Sequence, residues 1–235
     1  MAHYYLIGCG GIGGWLANAL VKTLKNTDHL HLVDGDTIEK HNLDRQLFTS
    51  DDIGSKKVHA LFERLGDGAR CEINTYSEYL GQHREVDFVA GRRSWVLVGT
   101  DNHPARMEAL KICDENRMNF ISAANGYEDA EAFFYNPAWK ESPMDPRVYY
   151  PEMATDTTDD PLSPPCTGEV LETTPQLAIA NMCAASYAMW LLWFWRERHP
   201  KLETASPETK STFPIHVSST AGRMRVKTMG DFTTT

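Results

Sequence analysis

A polar stretch between Val33 and Phe48, "VDGDTIEKHNLDRQLF", carries side chains suited to holding a charged ligand. Asp34 and Asp36 leave the end of an apolar segment, and Asn42, Arg45 and Gln46 follow. Carboxylates accept hydrogen bonds from hydroxyls, whereas guanidinium and amide groups donate to anionic oxygens. A solvated turn is the simpler alternative for so polar a stretch, and the motifs on either side decide between the two.

A glycine-rich motif, "GCGGIG", precedes this stretch and fits the pattern G-x-G-x-x-G between a strand and a helix. Gly8 permits the tight turn, Gly10 lets the backbone approach phosphate, and Gly13 lets the helix pack on the strand. The helix that follows offers free N–H groups and a positive dipole end to an anion. The motif predicts a nucleotide site but does not identify the nucleotide.

The residues after the second strand favour a triphosphate over a dinucleotide. Asp34 lies about 20 residues beyond the last glycine, where a carboxylate binds ribose hydroxyls in NAD and ATP enzymes alike. A hydride-transfer enzyme has little need for cations just past that acid, whereas a triphosphate requires its charge to be neutralised. Arg45 and Lys57 are therefore expected at the phosphates, the alternative being that each is a solvated surface charge.

The segment "GTDNHPAR" follows a buried strand, at the edge of the sheet where ligands bind in open α/β folds. An acid that faces phosphates is expected to hold Mg²⁺, which assigns that role to Asp101. The alternative is that Asp101 or Asn102 caps the next helix.

The elements that must position these side chains alternate between strands and helices. The apolar patterns predict strands in "HYYLI", "HLHLVD", "RCEINTYS", "WVLVGT", "NFISAA" and "EAFFYN", and helices in "GWLANALVKTLKN", "SKKVHALFERLG" and "HPARMEALKICDENR". This alternation predicts an α/β fold with a Rossmann-like, doubly wound, mostly parallel sheet and a C-terminal antiparallel extension. We expect one domain over 1–235, with a nucleotide-binding core at 1–135, a long loop at 136–175, and a helix and hairpin at 176–235.

The last helix also passes a first test for a membrane span, because Leu177–Trp195 contains 19 residues without a charge. It is apolar nearly all round, so burial in a core or in a dimer interface is favoured over a bilayer. A hairpin is expected around Ala221 and Gly222.

Composition narrows the class of protein. The net charge of -9 argues against a general nucleic-acid partner and an anionic membrane surface. The five cysteines form no CxxC pair, so neither zinc nor a disulfide framework is expected. No signal peptide is expected, because the N-terminus lacks a cationic region before its apolar run, and the lack of a disulfide framework favours a reducing cytoplasm.

Taken in order and spacing, "GCGGIG", "DGDTIEKHNLDRQLF", "GSKKV" and "TDN…AR" resemble the ThiF/MoeB adenylyltransferases and the adenylation domains of ubiquitin-activating enzymes. The resemblance implies Mg-ATP and adenylation of the C-terminal carboxylate of a ubiquitin-like β-grasp protein, often in a dimer. It implies the following nucleotide-site residues: Gly8, Gly10, Gly11, Gly13, Asp34, Asp36, Asn42, Arg45, Gln46, Lys57, Asp101 and Asn102. Among these, Arg45, Lys57 and Asp101 would be catalytic, and Asp101 would hold the metal.

The segment "PPCTGEV" resembles the loop that carries the catalytic cysteine of ubiquitin-activating enzymes, which implies a thioester at Cys166. The family's N-terminal helical arm and zinc cysteines are absent from this sequence. Two alternatives stay open, an NAD-dependent oxidoreductase and the non-catalytic half of a heterodimeric activating enzyme. A small-molecule or tRNA substrate is a further possibility within the same chemistry.

Overall fold

One eight-stranded sheet runs through the computed structural model, which describes residues 1–81, 86–100, 102–126, 129–155, 177–202, 206–220 and 223–232. The strands are β1 (His3–Ile7), β2 (His29–Val33), β3 (Glu72–Tyr76), β4 (Ser94–Val98), β5 (Asn119–Asn125), β6 (Ala130–Tyr135), β7 (Pro214–Thr220) and β8 (Arg223–Thr228). Their order across the sheet is β3-β2-β1-β4-β5-β6-β7-β8.

The first five strands pair in parallel, and the last three extend the sheet in antiparallel fashion. The chain moves outward from β1 to β3 and then starts again at β4 on the other side of β1. The predicted doubly wound, mostly parallel sheet with a C-terminal antiparallel extension is confirmed. The predicted hairpin is the β7–β8 pair, and its tip at Ala221 and Gly222 lies outside the described residues.

Helices cover both faces of the sheet. They are α1 (Gly11–Thr23), α2 (Lys57–Gly66), α3 (His103–Asn116), α4 (Pro146–Tyr149), α5 (Ala178–Leu202) and α6 (Pro207–Ser211). Parallel crossovers are almost always right-handed, which places α1 and α2 on one face of the sheet and α3 on the other, and α1 and α2 contact each other. Helix α5 packs beside α1 and over β5 and β6, whereas α3 contacts the segment that contains α4.

The apolar periodicity seen in the sequence forms the core. Leu16 and Leu20 of α1 are fully buried, and every residue of β4 is buried. Because β4 is central and covered on both faces, it reads as a continuous apolar run instead of an alternating one. The ring of Phe134 in β6 stacks on Trp195 of α5 at 4.1 Å between centroids, which joins the antiparallel extension to the last long helix.

Helix α5 is both a core helix and an incompletely covered one. The Trp195 indole is buried and donates to the Pro214 carbonyl at 2.7 Å. By length and composition Ala178–Glu197 could span a membrane, a test that soluble core helices also pass, and 44% of its most apolar window is buried. The other side exposes large apolar residues, namely Ile179, Met182, Trp190 and Trp193. We call these four residues the α5 outer face.

The long loop predicted from Pro137 onward is wrong over its first part, because residues 137–154 form short helices. A 3-10 turn spans Pro137–Trp139, α4 follows, and a second 3-10 turn spans Pro151–Ala154. Asp145 caps α4, and Arg147 binds Asp114 of α3 at 2.8 Å. The cap on α4 and the ion pair with α3 together order a segment that shows no apolar period. Residues 156–176 lie outside the described residues.

Candidate nucleotide-binding site

The glycine motif lies where the winding of the sheet reverses, between β1 and β4. Gly8 follows β1 with φ of +87°, in the left-handed region that favours glycine. A Cβ at Gly8 would come within 2.7 Å of Cγ2 of Thr100, at the end of β4. The crevice outside the carboxyl ends of the strands at such a switch point is the usual ligand site in open α/β folds.

Two further glycines allow close packing at this crevice. A Cβ at Gly13 would lie 1.8 Å from the carbonyl oxygen of Gly8, which no side chain could tolerate. At Gly11 it would lie 2.4 Å from the side-chain amide of Asn181, at the start of α5. Gly10 faces Gln46 at an ordinary 3.5 Å, so packing alone does not require glycine there.

The N-terminus of α1 lies beside this crevice and has no side-chain cap among the described residues. Gly10 is the N-cap, and no side chain of the described residues caps the helix or places an acid in its first turn. The first N–H groups of a helix have no partner within it and carry the positive end of its dipole. This end of α1 can therefore bind an anionic oxygen, as the motif predicts.

Asp34 joins the end of β2 to the glycine loop. One carboxylate oxygen accepts from the backbone N–H of Cys9 at 2.6 Å, and the other accepts from the N–H of Asp36 at 2.8 Å. Burial raises the pKa of Asp34, although the Lys57 ammonium and these two donors oppose the rise. The residue predicted to bind ribose is therefore held rigidly beside the glycine loop.

Asp36 forms an ion pair with Lys57 at 2.6 Å. Its second oxygen accepts from the Tyr79 hydroxyl, also at 2.6 Å. Burial by itself would raise the pKa of Asp36, but the Lys57 charge and the two hydrogen bonds lower it below its ordinary value. The Lys57 side chain is only 8% exposed, so the cation predicted for the phosphates is bound to Asp36 in this structure.

The amide and guanidinium side chains of the stretch Val33–Phe48 belong to Asn42, Arg45 and Gln46. Asn42 is buried and accepts from the backbone N–H of Glu39 at 2.9 Å, which fixes the 3-10 turn Lys40–Asn42. The Arg45 guanidinium donates to the His41 carbonyl at 2.8 Å. The Gln46 side chain faces Gly10, and its oxygen is buried without a hydrogen-bond partner among the described residues.

The third motif places a cap and a cation at the end of β4. The Asn102 side chain accepts from the Ala105 N–H at 2.8 Å and caps α3, as the simpler interpretation predicted. Arg106, one turn further on, donates to the Thr100 carbonyl at 2.8 Å. Asp101, the predicted magnesium ligand, lies outside the described residues, so its role stays a prediction.

Four of the five cysteines lie among the described residues. Cys166, the predicted nucleophile, lies outside the described residues. Cys9, Cys71 and Cys113 are buried, and burial raises the pKa of each thiol, which suits packing and not nucleophilic attack. Cys183 is only half-buried on α5.

Three residues at the site were not predicted. Tyr79 binds Asp36 and packs against Gly35, where a Cβ would lie 2.8 Å from the tyrosine ring. Asn181 is fully buried and donates to the Arg45 carbonyl at 3.3 Å. Arg106 stands within the quoted motif "TDN…AR" but received no role. An isolated asparagine in an otherwise apolar helix was the available signal for Asn181.

The described residues contain no cluster of three or more His, Cys, Asp or Glu side chains that could hold a metal ion. These residues by themselves therefore do not form a protein cage of the kind that binds calcium or zinc. Magnesium commonly takes one or two carboxylates and completes its shell with substrate phosphates and water.

A Rossmann-like fold with a glycine loop, an acid after the second strand and cations nearby is typical of the adenylyltransferase-like fold class. The model of the ThiF family matches residues 1–217. The chain therefore belongs to the ThiF family, and the resemblance read from its motifs is confirmed.

Relatives by sequence carry several activities. The tRNA threonylcarbamoyladenosine dehydratase of Haemophilus influenzae is 29% identical over 132 residues, 54% of this chain and 50% of that protein. The adenylyltransferase and sulfurtransferase MOCS3 of Drosophila sechellia is 30% identical over 133 residues, 56% of this chain and 29% of that protein. The matched part thus spans half or less of these relatives.

Solved structures show the same fold over nearly the whole chain. MccB of E. coli with ATP superposes with a TM-score of 0.63 at 18% identity, covering 99% of this chain and 65% of that chain. PaaA superposes with a TM-score of 0.63 at 16% identity, covering 97% of this chain and 73% of that chain. At such identities the likeness establishes the fold alone.

Proposed function

We propose that the protein is a Mg-ATP-dependent adenylyltransferase that activates the C-terminal carboxylate of a ubiquitin-like β-grasp protein or of a short peptide. The observation that carries the proposal is the N-terminus of α1 at the switch point, which has no side-chain cap among the described residues and has Asp34 bonded to its glycine loop. Arg45 and Lys57 lie in the stretch that follows Asp34. MOCS3 is named as an adenylyltransferase, and MccB has been crystallised with ATP and with MccA, which supports this chemistry.

The reaction needs alignment and charge neutralisation more than a protein nucleophile. An oxygen of the substrate carboxylate attacks the α-phosphorus of ATP. The bond between the α-phosphorus and its bridging oxygen breaks, pyrophosphate leaves with that oxygen, and an acyl-adenylate remains. The α1 N-terminus, Arg45 and Lys57 would stabilise the anionic oxygens, and Asp34 would hold the ribose.

Two residues outside the described part of the chain complete the proposal. Asp101 would hold magnesium together with phosphate oxygens. Cys166 would attack the acyl carbon as a thiolate, forming a thioester and releasing AMP. Arg45 would have to exchange the His41 carbonyl and the Asp44 carboxylate for phosphate, and Lys57 would have to exchange the Asp36 carboxylate.

A homodimer is the assembly that we propose for the α5 outer face. Its four large apolar side chains are 41% to 65% exposed on one side of a helix whose opposite side is core. A contiguous exposed apolar patch commonly marks an interface. Trp193→Glu should then shift the sedimentation coefficient from dimer to monomer, whereas Glu63→Gln on the exposed side of α2 should not. A monomeric wild-type protein would exclude the dimer.

The site favours ATP over NAD because of Arg45 and Lys57, and a non-catalytic subunit would not need the whole set of charged residues. A carboxylate attached to tRNA is a second candidate, because the relatives from Haemophilus influenzae and Escherichia coli are both named tRNA threonylcarbamoyladenosine dehydratase. The net charge of -9 disfavours tRNA, which would need a basic face. We place the protein in the cytoplasm, with no nucleic-acid or membrane partner and no zinc.

ATP–pyrophosphate exchange tests the proposal. Exchange should require a β-grasp protein or peptide and should disappear when its last two residues are removed. Asp101→Ala should abolish exchange, whereas Cys166→Ala should retain exchange and lose any thioester. Exchange that depends on tRNA in place of a protein C-terminus would support the second candidate. Absence of exchange with every acceptor, together with NAD binding, would contradict adenylation.

A further inference from the structure

Asn181 places a buried amide near the start of α5, where its neighbours along the helix are Ala180 and Met182. The side chain has no exposed surface, and its oxygen has no hydrogen-bond partner among the described residues. A buried polar atom without a partner costs free energy, so packing alone would favour an apolar residue at this position. The contacts of the amide nitrogen therefore have to account for an asparagine here.

The Asn181 side chain lies against the first turn of α1. A Cβ at Gly11, the first residue of that helix, would lie 2.4 Å from the side-chain nitrogen of Asn181 and 2.9 Å from its oxygen. Alanine at position 11 would therefore have to displace the amide. The resemblance implies a role at the nucleotide for Gly11, and the structure adds a second requirement for glycine there, which comes from α5.

The same amide holds the backbone of Arg45. Its nitrogen donates to the Arg45 carbonyl oxygen at 3.3 Å. The backbone N–H groups of Arg45 and Gln46 donate to the Asn42 carbonyl at 3.4 Å and 2.9 Å, so these residues form one turn. Asn181 thus fixes this turn beside the glycine loop, and the position of the Arg45 backbone limits where its guanidinium can reach.

We propose that Asn181 is a positioning residue that holds Arg45 in place for the phosphates of the nucleotide. The proposal rests on the adenylation function put forward above. Asn181 acts through the Arg45 backbone and does not contact the reacting atoms. Asp34, assigned to the ribose, is held by its own bonds to Cys9 and Asp36. Loss of the Asn181 amide should therefore weaken binding of the phosphates and not of the nucleoside.

Binding of ATP and of adenosine separates this role from a general effect on the fold. Dissociation constants are measured on the full chain, by calorimetry for ATP with magnesium and by displacement of ATP for adenosine. Asn181→Ala should lose at least about tenfold in ATP affinity and should change adenosine affinity by less than about twofold. Asn181→Ser should give the same result. Its hydroxyl can bond to the Leu177 carbonyl one turn earlier, so this variant decides the matter if Asn181→Ala does not fold.

A double-mutant cycle tests the contact between the two helices. Gly11→Ala should weaken ATP binding in the wild-type protein because its Cβ would displace the Asn181 amide. In the Asn181→Ala background that amide is absent, so Gly11→Ala should cause a smaller further loss.

Asn116→Ala is the matched control for the single variants. It removes another side-chain amide that donates to a backbone carbonyl, that of Ile112 at 2.9 Å, from the last residue of α3. Both dissociation constants should stay unchanged in this variant.

The outcomes distinguish the two proposals. ATP affinity that is unchanged in Asn181→Ala and Asn181→Ser would overturn the positioning role and leave adenylation intact. Equal losses for ATP and adenosine would overturn it as well, because they would show that Asn181 supports the fold alone. Strictly additive losses in the cycle would contradict the contact on which the role depends. Failure of the wild-type protein to bind ATP would contradict the adenylation function itself, and the positioning role with it.

Discussion

The Asp34 carboxylate accepts a 2.6 Å hydrogen bond from the backbone N–H of Cys9, which ties the end of β2 to the glycine loop. The same carboxylate accepts from the N–H of Asp36, so one buried side chain fixes two turns of the site. A residue predicted to bind ribose thus also shapes the loop that would bind phosphate.

Asp34→Asn should therefore weaken both stability and nucleotide binding. The amide nitrogen cannot accept, so one of the two backbone N–H groups loses its partner, at a cost of roughly 1–3 kcal/mol. Urea unfolding and ATP titration measure the two effects. Asp67→Asn, at an exposed position after the end of α2, is the control and should change neither. Wild-type stability and ATP affinity in Asp34→Asn would contradict this role.

Replacing glycine by alanine should have very different effects on stability at Gly13 and at Gly66. Gly13→Ala should cost more than about 3 kcal/mol or prevent folding, because its Cβ would lie 1.8 Å from the Gly8 carbonyl. Gly66→Ala is the matched control, since nothing lies within 4 Å of its Cβ position at the end of α2. It should be neutral or stabilise by up to about 1 kcal/mol. Thermal unfolding of the two variants checks the contrast, and similar melting temperatures would refute it.

Lys57→Met should destabilise the protein because it leaves the Asp36 carboxylate without its cation. The pair is buried on the lysine side and 43% exposed on the aspartate side, so we expect about 1–3 kcal/mol, less than for a fully buried pair. A double-mutant cycle with Asp36→Asn should show that the two losses are coupled. Strictly additive losses would mean that the ion pair contributes nothing.

Stability should fall on acidification because of His31, which is buried in β2. Burial, followed by the charges of His3 and His29, lowers the pKa of His31 to about 4. The unfolded chain, with a histidine pKa of about 6.5, then binds protons first as the pH falls. The contribution of His31 to the free energy of unfolding is therefore fully present above about pH 6.5. It declines toward pH 4, by up to about 3 kcal/mol.

Urea unfolding at pH 7.5 and at pH 5 measures this loss. His31→Phe removes the titrating group, retains an aromatic ring beside Tyr5 and Tyr76, and leaves His3, His29 and Glu72 in place. The difference between the two pH values should shrink by at least about half in this variant. An unchanged difference would assign the acid sensitivity to other groups.

Local patterns predicted much of the site, and contacts between distant residues were not predictable. Gly13 was identified because the glycine spacing encodes a close helix–strand approach, and Asp34 because it ends the second strand. Tyr79 and Asn181 were not, because each reaches a partner 43 or 136 residues away through the tertiary fold. The short helix after Asp145 was missed despite its signal, a capping aspartate followed by Pro146.

The sequence also could not predict which side of α5 is exposed. The sequence indicates a helix that is apolar all round, which fits a core and an interface equally well. The structure buries Trp195 and leaves Trp193 about half exposed, so both interpretations hold for different sides of the helix. Only the position of the helix relative to the sheet distinguishes them.

Equilibrium binding of ATP and of NAD to the wild-type protein and to Arg45→Ala distinguishes a triphosphate site from a dinucleotide site. We expect that ATP binds with magnesium, that NAD does not compete at equal concentration, and that Arg45→Ala loses at least about tenfold in ATP affinity. Binding of NAD in place of ATP, with no effect of Arg45→Ala, would contradict a triphosphate site.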